Sequence, residues 1–437
     1  MTTTSEDLQD VHPARQKLSL ALAVLITLPG IVVRLSDMHL SHPVEATLCG
    51  IAIVGAAFLL SWAAEVAQLD ISAGLAIAVL AFIAVLPEYA VDMVFAWKAG
   101  HAVAAHGAGC NAPGAVTASP CSLALANMTG ANRLLIGVGW SMVVLIAWYR
   151  SRQQGITFTC VQLERSHSIE LSFLAAATLY SMTLPFKETI HLFDAAVLVG
   201  IFIVYTIRIA TAPSEEPHLV GPARYIGTFA VAPRRGTVIA LFLFAAGVIL
   251  LLAERFAESL VATGLTLGVS EFLLVQWVAP LASEAPELLV AGLYAWRLNS
   301  NAGLGTLVSS KVNQWTLLVG TLPIVFALAS GGLHGLPVDP HQREELLLTA
   351  SQSVFAVATL ISLSISIPEA IALFALFWAQ FLLGALVPHQ YAGYERIGVS
   401  IGYLVLAAAI LARDRALVPQ LLRDGFVTPH AVLHSDD

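Results

Sequence analysis

The sequence predicts an all-α integral membrane protein of about twelve transmembrane helices, built on an inverted five-plus-five helix repeat with proline-broken members. Three observations carry this expectation. Of 437 residues, 57% are hydrophobic and only 11% charged, and the mean hydropathy is +0.80; soluble domains do not have this composition, and multi-spanning proteins do. The apolar residues gather into runs near the roughly 20 residues that cross a hydrocarbon core about 30 Å thick. One twelve-residue stretch also occurs twice, as PEYAVDMVFAWK from Pro87 to Lys98 and as PELLVAGLYAWR from Pro286 to Arg297.

In chain order the runs lie at 18–35, 43–67, 71–97, 121–150, 169–186, 189–211, 237–262, 269–296, 302–330, 344–364, 367–387 and 395–413. The polar, acidic MTTTSEDLQD precedes Arg15 and Lys17, and no small-residue cleavage site follows the first run, which therefore reads as a retained helix. Basic residues cluster at Arg15 and Lys17, at Arg150, Arg152 and Arg165, at Arg208, Arg224, Arg234 and Arg235, and at Arg413, Arg415 and Arg423. With twelve spans all four clusters fall on one side. The positive-inside rule makes that side the cytoplasm, with both termini in it and the plasma (inner) membrane as the expected location.

This count sends the Glu88 helix, the third, outward and the Glu287 helix, the eighth, inward. Inverted repeats with proline-broken helices mark secondary transporters, whose ions bind near the midplane where the repeats meet. The expected divisions are an N-terminal tail and extra helix at 1–42, a first half at 43–211, a cytoplasmic linker at 212–236, a second half at 237–387, and an extra helix and tail at 388–437.

The net charge of −8 is scattered over short loops, so nucleic acid is not an expected partner. The expected partners are the lipid bilayer and inorganic cations; no protein partner and no tightly bound cofactor is implied. Cys49, Cys110, Cys121 and Cys160 lack metal-ligand spacing. Cys110 and Cys121 share one loop, as a disulfide in an oxidising compartment or as two thiols. His101 and His106, in the same loop, read as solvated side chains.

An acid costs several kcal/mol at the centre of a membrane helix, which makes Glu88 and Glu287 the first candidates for ion and metal binding. Their alternative is a structural pair bonded to backbone that the prolines free. Asp92 lies four residues after Glu88, on the same helical face, and Glu284 three before Glu287. With Lys311 and Arg133 the cluster holds four acids and two bases, and it does not stay fully ionised without bound ions. Protons and cations then compete for the same carboxylates, and the Lys311 ammonium can stand in for a monovalent cation. Asp92 with Arg133, or Glu284 with Lys311, can instead form buried salt bridges. Asn127 and Asn132 are ligands or interhelical bridges.

The segments around the Pro-Glu pairs carry a resemblance. LGVSEFLLVQWVAPLASEAPELLVAGLYAW from Leu267 is followed by GTLVSSKVNQWTLLVG from Gly305; LDISAGLAIAVLAFIAVLPEYAVDMVFAW from Leu69 is followed by LANMTGANRLLIG from Leu125. Over about residues 43 to 387 the chain resembles the sodium/calcium exchanger family of the calcium/cation antiporter superfamily, as a divergent bacterial-type member. The two alpha repeats of that family read roughly G-[ST]-S-x-P-E and then G-N-x-x-G-S-N.

The resemblance implies that Glu88 and Glu287 are the two cation-binding glutamates. Asn127, Gly130 and Asn132 match the first Asn-x-x-Gly-Ser-Asn line, with Ala131 at its serine. In the second repeat Thr306 and Ser309 replace Asn and Gly, Ser310 keeps the serine, and Lys311 stands in place of the ligand Asn. Ile83, Ala84 and Val85, like Ala282, Ser283 and Glu284, stand where Gly-Thr-Ser is usual, so most hydroxyl ligands for sodium are missing.

The implied function is a secondary-active antiporter that exchanges Ca2+ or Na+ for H+ (or Na+) by alternating access at a midplane carboxylate site. A sodium-driven Na+/Ca2+ exchanger is the alternative, and a cation channel with the same acids as a selectivity ring is the alternative of another class. An intramembrane enzyme is disfavoured, because no motif such as HExxH accompanies the carboxylates.

Overall fold

A computed structural model describes residues 13–36, 38, 40–70, 86–107, 110–111, 118–211, 219 and 221–433. Its long helices are α1 Pro13–Leu35, α2 His42–Ala67, α3 Leu86–His106, α4 Pro120–Gln153, α5 Ser168–Ser181, α6 Leu192–Ile209, α7 Val231–Leu267, α8 Glu271–Trp296, α9 Ser300–Ser330, α10 Pro340–Thr359, α11 Ile367–Leu386 and α12 Ala392–Arg413. Each of the twelve apolar runs corresponds to one of them. The third begins outside the described residues, where Ile83, Ala84 and Val85 also lie.

Ten of these regions are long and apolar enough to cross a bilayer on their own composition. The other two, α3 and α10, are the polar ones, and their polar side chains face inward: Glu88 and Asp92 on α3, and Gln342, Glu345, Ser351, Gln352 and Ser353 on α10, are all buried. The expected tenth span ran to residue 364. The helix stops at Thr359 instead, because Ser364–Ser366 is drawn into a strand. Of the expected linker, residues 212–218 and 220 lie outside the described residues; α7 already begins at Val231, after a short helix, Pro222–Gly227.

The inverted repeat is visible in the backbone. Both α4 and α9 contain a π-helical segment, Leu135–Trp140 and Gln314–Leu318, and Asn132 and Lys311 each stand three residues before theirs. Strand β1 (Cys160–Gln162), between α4 and α5, pairs antiparallel with β4 (Ser364–Ser366), between α10 and α11. Strand β2 (Thr189–Ile190), between α5 and α6, pairs with β3 (Leu336–Pro337), between α9 and α10. Exchanging the two halves converts one sheet into the other. Each sheet therefore staples the repeats together at one face of the bundle, and satisfies loop N–H and C=O groups that would otherwise go unpaired near the bilayer.

Charge pairs tie the helix ends. Arg234 holds Asp70 at 2.8 Å through both Nε and Nη2, and Arg255 pairs with Glu45, so α2 and α7 are clamped at both ends. A Cys110–Cys121 disulfide joins the end of α3 to the start of α4, deciding the question that the sequence leaves open.

A further amphipathic helix, α13 (Val418–Phe426), follows α12 and docks on α5. Its Asp424 accepts from Arg165 Nε at 2.8 Å and Nη2 at 3.1 Å, Ser172 donates to the Leu421 carbonyl at 3.0 Å, and Arg208 caps its carboxyl end through the Gly425 carbonyl at 3.2 Å. A cation there also suits the helix dipole.

The Arg165 guanidinium holds the Asp424 carboxyl below the usual carboxylate range. A lowered folded-state value contributes stability that is present above the unfolded value, about 3.9, and is lost as pH falls through the folded value. Asp424→Asn is expected to ease opening of the 418–433 segment by about 2 kcal/mol. At pH 7 its amides should then exchange roughly 30-fold faster by mass spectrometry, and the difference from wild type should shrink below about pH 4.

Candidate cation-binding site

The site is assembled where α3, α8 and α9 meet. Glu88 lies in the first described turn of α3, directly after Pro87. In α8 the helix runs on through Pro280 and Pro286. Pro286 has no N–H for the Ala282 carbonyl, so the ladder is interrupted beside the acids while the helical spacing persists. Glu284 and Glu287 therefore stay on one face, with carboxylate oxygens within 4.8 Å of each other.

Glu88, Glu284 and Glu287 each present a carboxylate oxygen, and these atoms lie within 4.8 Å of one another. Gln314, first residue of the π segment in α9, donates from Nε2 to Glu88 Oε1 at 3.0 Å and to Glu284 Oε1. Glu88 Oε2, Glu284 Oε2 and Gln314 Oε1 are buried with no protein hydrogen-bond partner. Buried acceptors left this way call for a proton or a cation. An all-oxygen set of carboxylates and an amide is the donor chemistry of a hard cation such as Ca2+, which takes 6–8 oxygens at about 2.3–2.6 Å.

Glu88 and Glu284 are buried, at 2% and 0% exposure. Glu287 is half-buried and forms part of the lining of a cavity of about 600 Å³. Glu65 and Gln68 at the end of α2, Glu164 and His167 before α5, and Tyr294 near the end of α8 line the same cavity. All five lie toward the face that carries the start of α1 and the end of α12, so the cavity approaches Glu287 from that face. At its rim Asn301 donates to Glu164 Oε1 at 2.7 Å and accepts from the Glu164 N–H at 3.0 Å.

The other expected residues are distributed around this centre. Asp92 lies outside the three-carboxylate group and accepts from Asn127 Nδ2 at 2.8 Å. Lys311 forms no ion pair among the described residues; its ammonium donates to both the carbonyl and Oδ1 of Asn132, each at 2.6 Å, and lies 5.3 Å from the Trp315 ring centroid. Glu284 takes Gln314 in place of the lysine. Ser310 lines the cavity, as do Thr306 and Ser309.

Arg133, expected beside the acids as a second tethered cation, does not join them. Its charge is met by Glu345 of α10 at 3.1 Å and by Gln380 of α11, facing away from the carboxylates. Sequence reading also missed Gln314. The available signal was the adjacent amide pair Asn313-Gln314 in the apolar stretch that follows Lys311, in a segment where polar residues are expensive.

The sodium/calcium exchanger protein family matches residues 44–210 and 237–386. The chain belongs to this family. No curated protein matches it. Among solved structures it is similar to one described as the H+/Ca2+ exchanger CAX, with 40% identity over 97% of this chain and 99% of that one and a TM-score of 0.84. It also shares its fold with the Ca2+/H+ antiporter protein YfkE, with 14% identity over 89% of this chain and 100% of that one and a TM-score of 0.57. As a member of this exchanger family the chain is a multi-pass membrane protein and a secondary cation antiporter. Its likeness to CAX extends past the family-matched segments into the flanking helices.

Because Gln314 donates to two of the three carboxylates, its truncation should disturb their spacing. Gln314→Ala is expected to raise the cation concentration for half-maximal exchange about tenfold, the equivalent of about 1.4 kcal/mol, as read from initial rates of uptake into vesicles.

Proposed function

We propose that this antiporter exchanges Ca2+ for H+ at the Glu88–Glu284–Glu287 cluster. The observation that carries the reading is the trio itself: three carboxylate oxygens within 4.8 Å of one another, with buried oxygens left unpartnered. Mutual repulsion and exclusion of water make either a divalent cation or protons necessary there, and the two compete for the same oxygens. The likeness to CAX, described as an H+/Ca2+ exchanger, supports the same pair of ions. Sodium coupling is less well supported, because Glu284 replaces one of the two hydroxyl residues of the family pattern before Pro286 and Lys311 replaces the ligand Asn.

In this reading the cavity is the cytoplasmic approach. The basic loops lie on its face, both termini are cytoplasmic, and the Cys110–Cys121 bond lies on the opposite, oxidising side of a plasma (inner) membrane. A cation entering from the cavity meets Glu287 first and draws in Glu284 and Glu88 as their protons leave. Occupancy by one species or the other then permits the bundle to reopen on the far side. Asp92, Asn127, Asn132 and Ser310 shape the surroundings of the site, and Lys311 supplies a fixed amine where the family has an amide. The repeat halves are 43–211 and 237–387, joined by the 212–236 linker and flanked by the 1–42 and 388–437 additions. Lipid and inorganic cations are the only partners this function needs.

The test uses purified protein in liposomes with an imposed pH gradient and an internal pH dye, adding Ca2+, Na+ or K+ outside in turn. Ca2+ is expected to dissipate the gradient, and Glu88→Gln or Glu287→Gln to reduce that response more than 100-fold, equivalent to about 3 kcal/mol, with an unchanged elution profile. Ca2+ uptake driven by an imposed Na+ gradient, with no pH response, would replace proton coupling with the sodium-driven reading. Substantial exchange retained by both glutamine variants would remove the site assignment.

A further inference from the structure

Outside the carboxylate trio the most extensive buried charge network surrounds Arg133, and nothing in the exchange reaction as derived above uses it. Arg133 is 2% exposed and lines no part of the cavity. Its Nη1 meets Glu345 Oε2 at 3.1 Å, its Nη2 donates to Gln380, and its guanidinium carbon lies 5.1 Å from the Trp277 ring centroid. Glu345 is held in turn by Gln276 Nε2 at 2.9 Å, by Arg396 at 3.7 Å and by His341 at 3.9 Å. One arginine on α4 is thus gripped from α8, α10 and α11, with α12 supporting the acid.

The backbone around it is pinned as well. Gln352 of α10 donates to the Arg133 carbonyl at 3.3 Å. At Gly130, three residues earlier, a Cβ would collide with the Gln276 carbonyl, so α4 and α8 touch backbone to backbone. The residue immediately before Arg133 is Asn132, whose carbonyl and side chain receive the Lys311 ammonium. This is where the two repeats touch at the amine, and Lys311 stands one helical turn before Gln314, whose amide bonds both Glu88 and Glu284.

We propose that Arg133 and Glu345 are positioning residues for cation binding: the pair fixes the Asn132 cradle that keeps the Lys311 amine off the carboxylate trio. The inference rests on the reading of Glu88, Glu284 and Glu287 as the cation site. Neither residue touches the transported ion. Loosening α4 at this point frees the amine of Lys311 to move toward Glu284, where it competes with the cation. The effect therefore passes through Lys311 and disappears when the amine is absent.

The experiment is a double-mutant cycle on the full-length protein, reading the Kd for Ca2+ by titration calorimetry and the KM for exchange in liposomes. Glu345→Gln is expected to raise both about tenfold while leaving the maximal rate within about twofold. In the Lys311→Ala background the same substitution is expected to change Kd less than about twofold. The binding measurement stands even where Lys311→Ala does not turn over.

Where Glu345→Gln elutes as aggregate, Arg133→Lys takes its place. It keeps the charge but not the bond to Gln380, and it should raise Kd by a smaller factor, again only with Lys311 present. An unchanged Kd in the single variant, or an equal rise with and without Lys311, overturns the proposal. Retained exchange in both Glu88→Gln and Glu287→Gln would instead sink the site itself, so the two failures are read from different variants.

Discussion

Three carboxylates held within 4.8 Å of one another inside a bundle of apolar helices cannot all carry charge alone. Much of the interior is arranged around that constraint. The prolines of α8 interrupt the backbone ladder beside Glu284 and Glu287, and Pro87 directly precedes Glu88 on α3. The π segment of α9 begins at Gln314, whose amide is presented to two of the acids. The departures at Pro286 and at Gln314 sit where polar groups are delivered to a buried centre, as π-bulges and discontinuous membrane helices commonly do.

The duplicated architecture makes such delivery possible from two directions. The π segments of α4 and α9 follow Asn132 and Lys311 at equal spacing, and those two residues then bind each other across the repeat interface. The paired strands β1–β4 and β2–β3 repeat the exchange at the two faces. Hydrogen bonds between halves hold the inverted units in register, while the centre between them stays polar.

The halves have diverged in chemistry more than in shape. The second repeat adds Glu284 before its Pro-Glu pair and Lys311 at the position matching Asn132, so two of the three clustered acids come from α8 alone. In the first repeat the extra acid, Asp92, bonds to Asn127 instead, one turn from the cluster. Arg133 has no charged counterpart in the second repeat, where Val312 stands; it is neutralised from α10 and α11. The asymmetry concentrates negative charge on the wall that the cavity reaches.

Hydropathy alone determined the membrane class and the approximate place of the long helices, since ten of them meet by themselves the length and apolarity that a lipid span requires. The alternation of basic loops and the duplicated Pro-Glu stretch likewise made the inverted repeat legible, and with it Glu88 and Glu287 as the first acids to consider. What each buried charge pairs with was not legible. Spacing along α3 placed Asp92 on the face of Glu88, yet it turns to Asn127; Glu284 bonds to Gln314 and not to Lys311; and Arg133 reaches Glu345, 212 positions away. The Cys110–Cys121 bond and the docking of α13 belong to the same class. Those choices depend on which side chains the folded backbone brings within about 3 Å, and only the packing of the helices, not the period of the sequence, decides that.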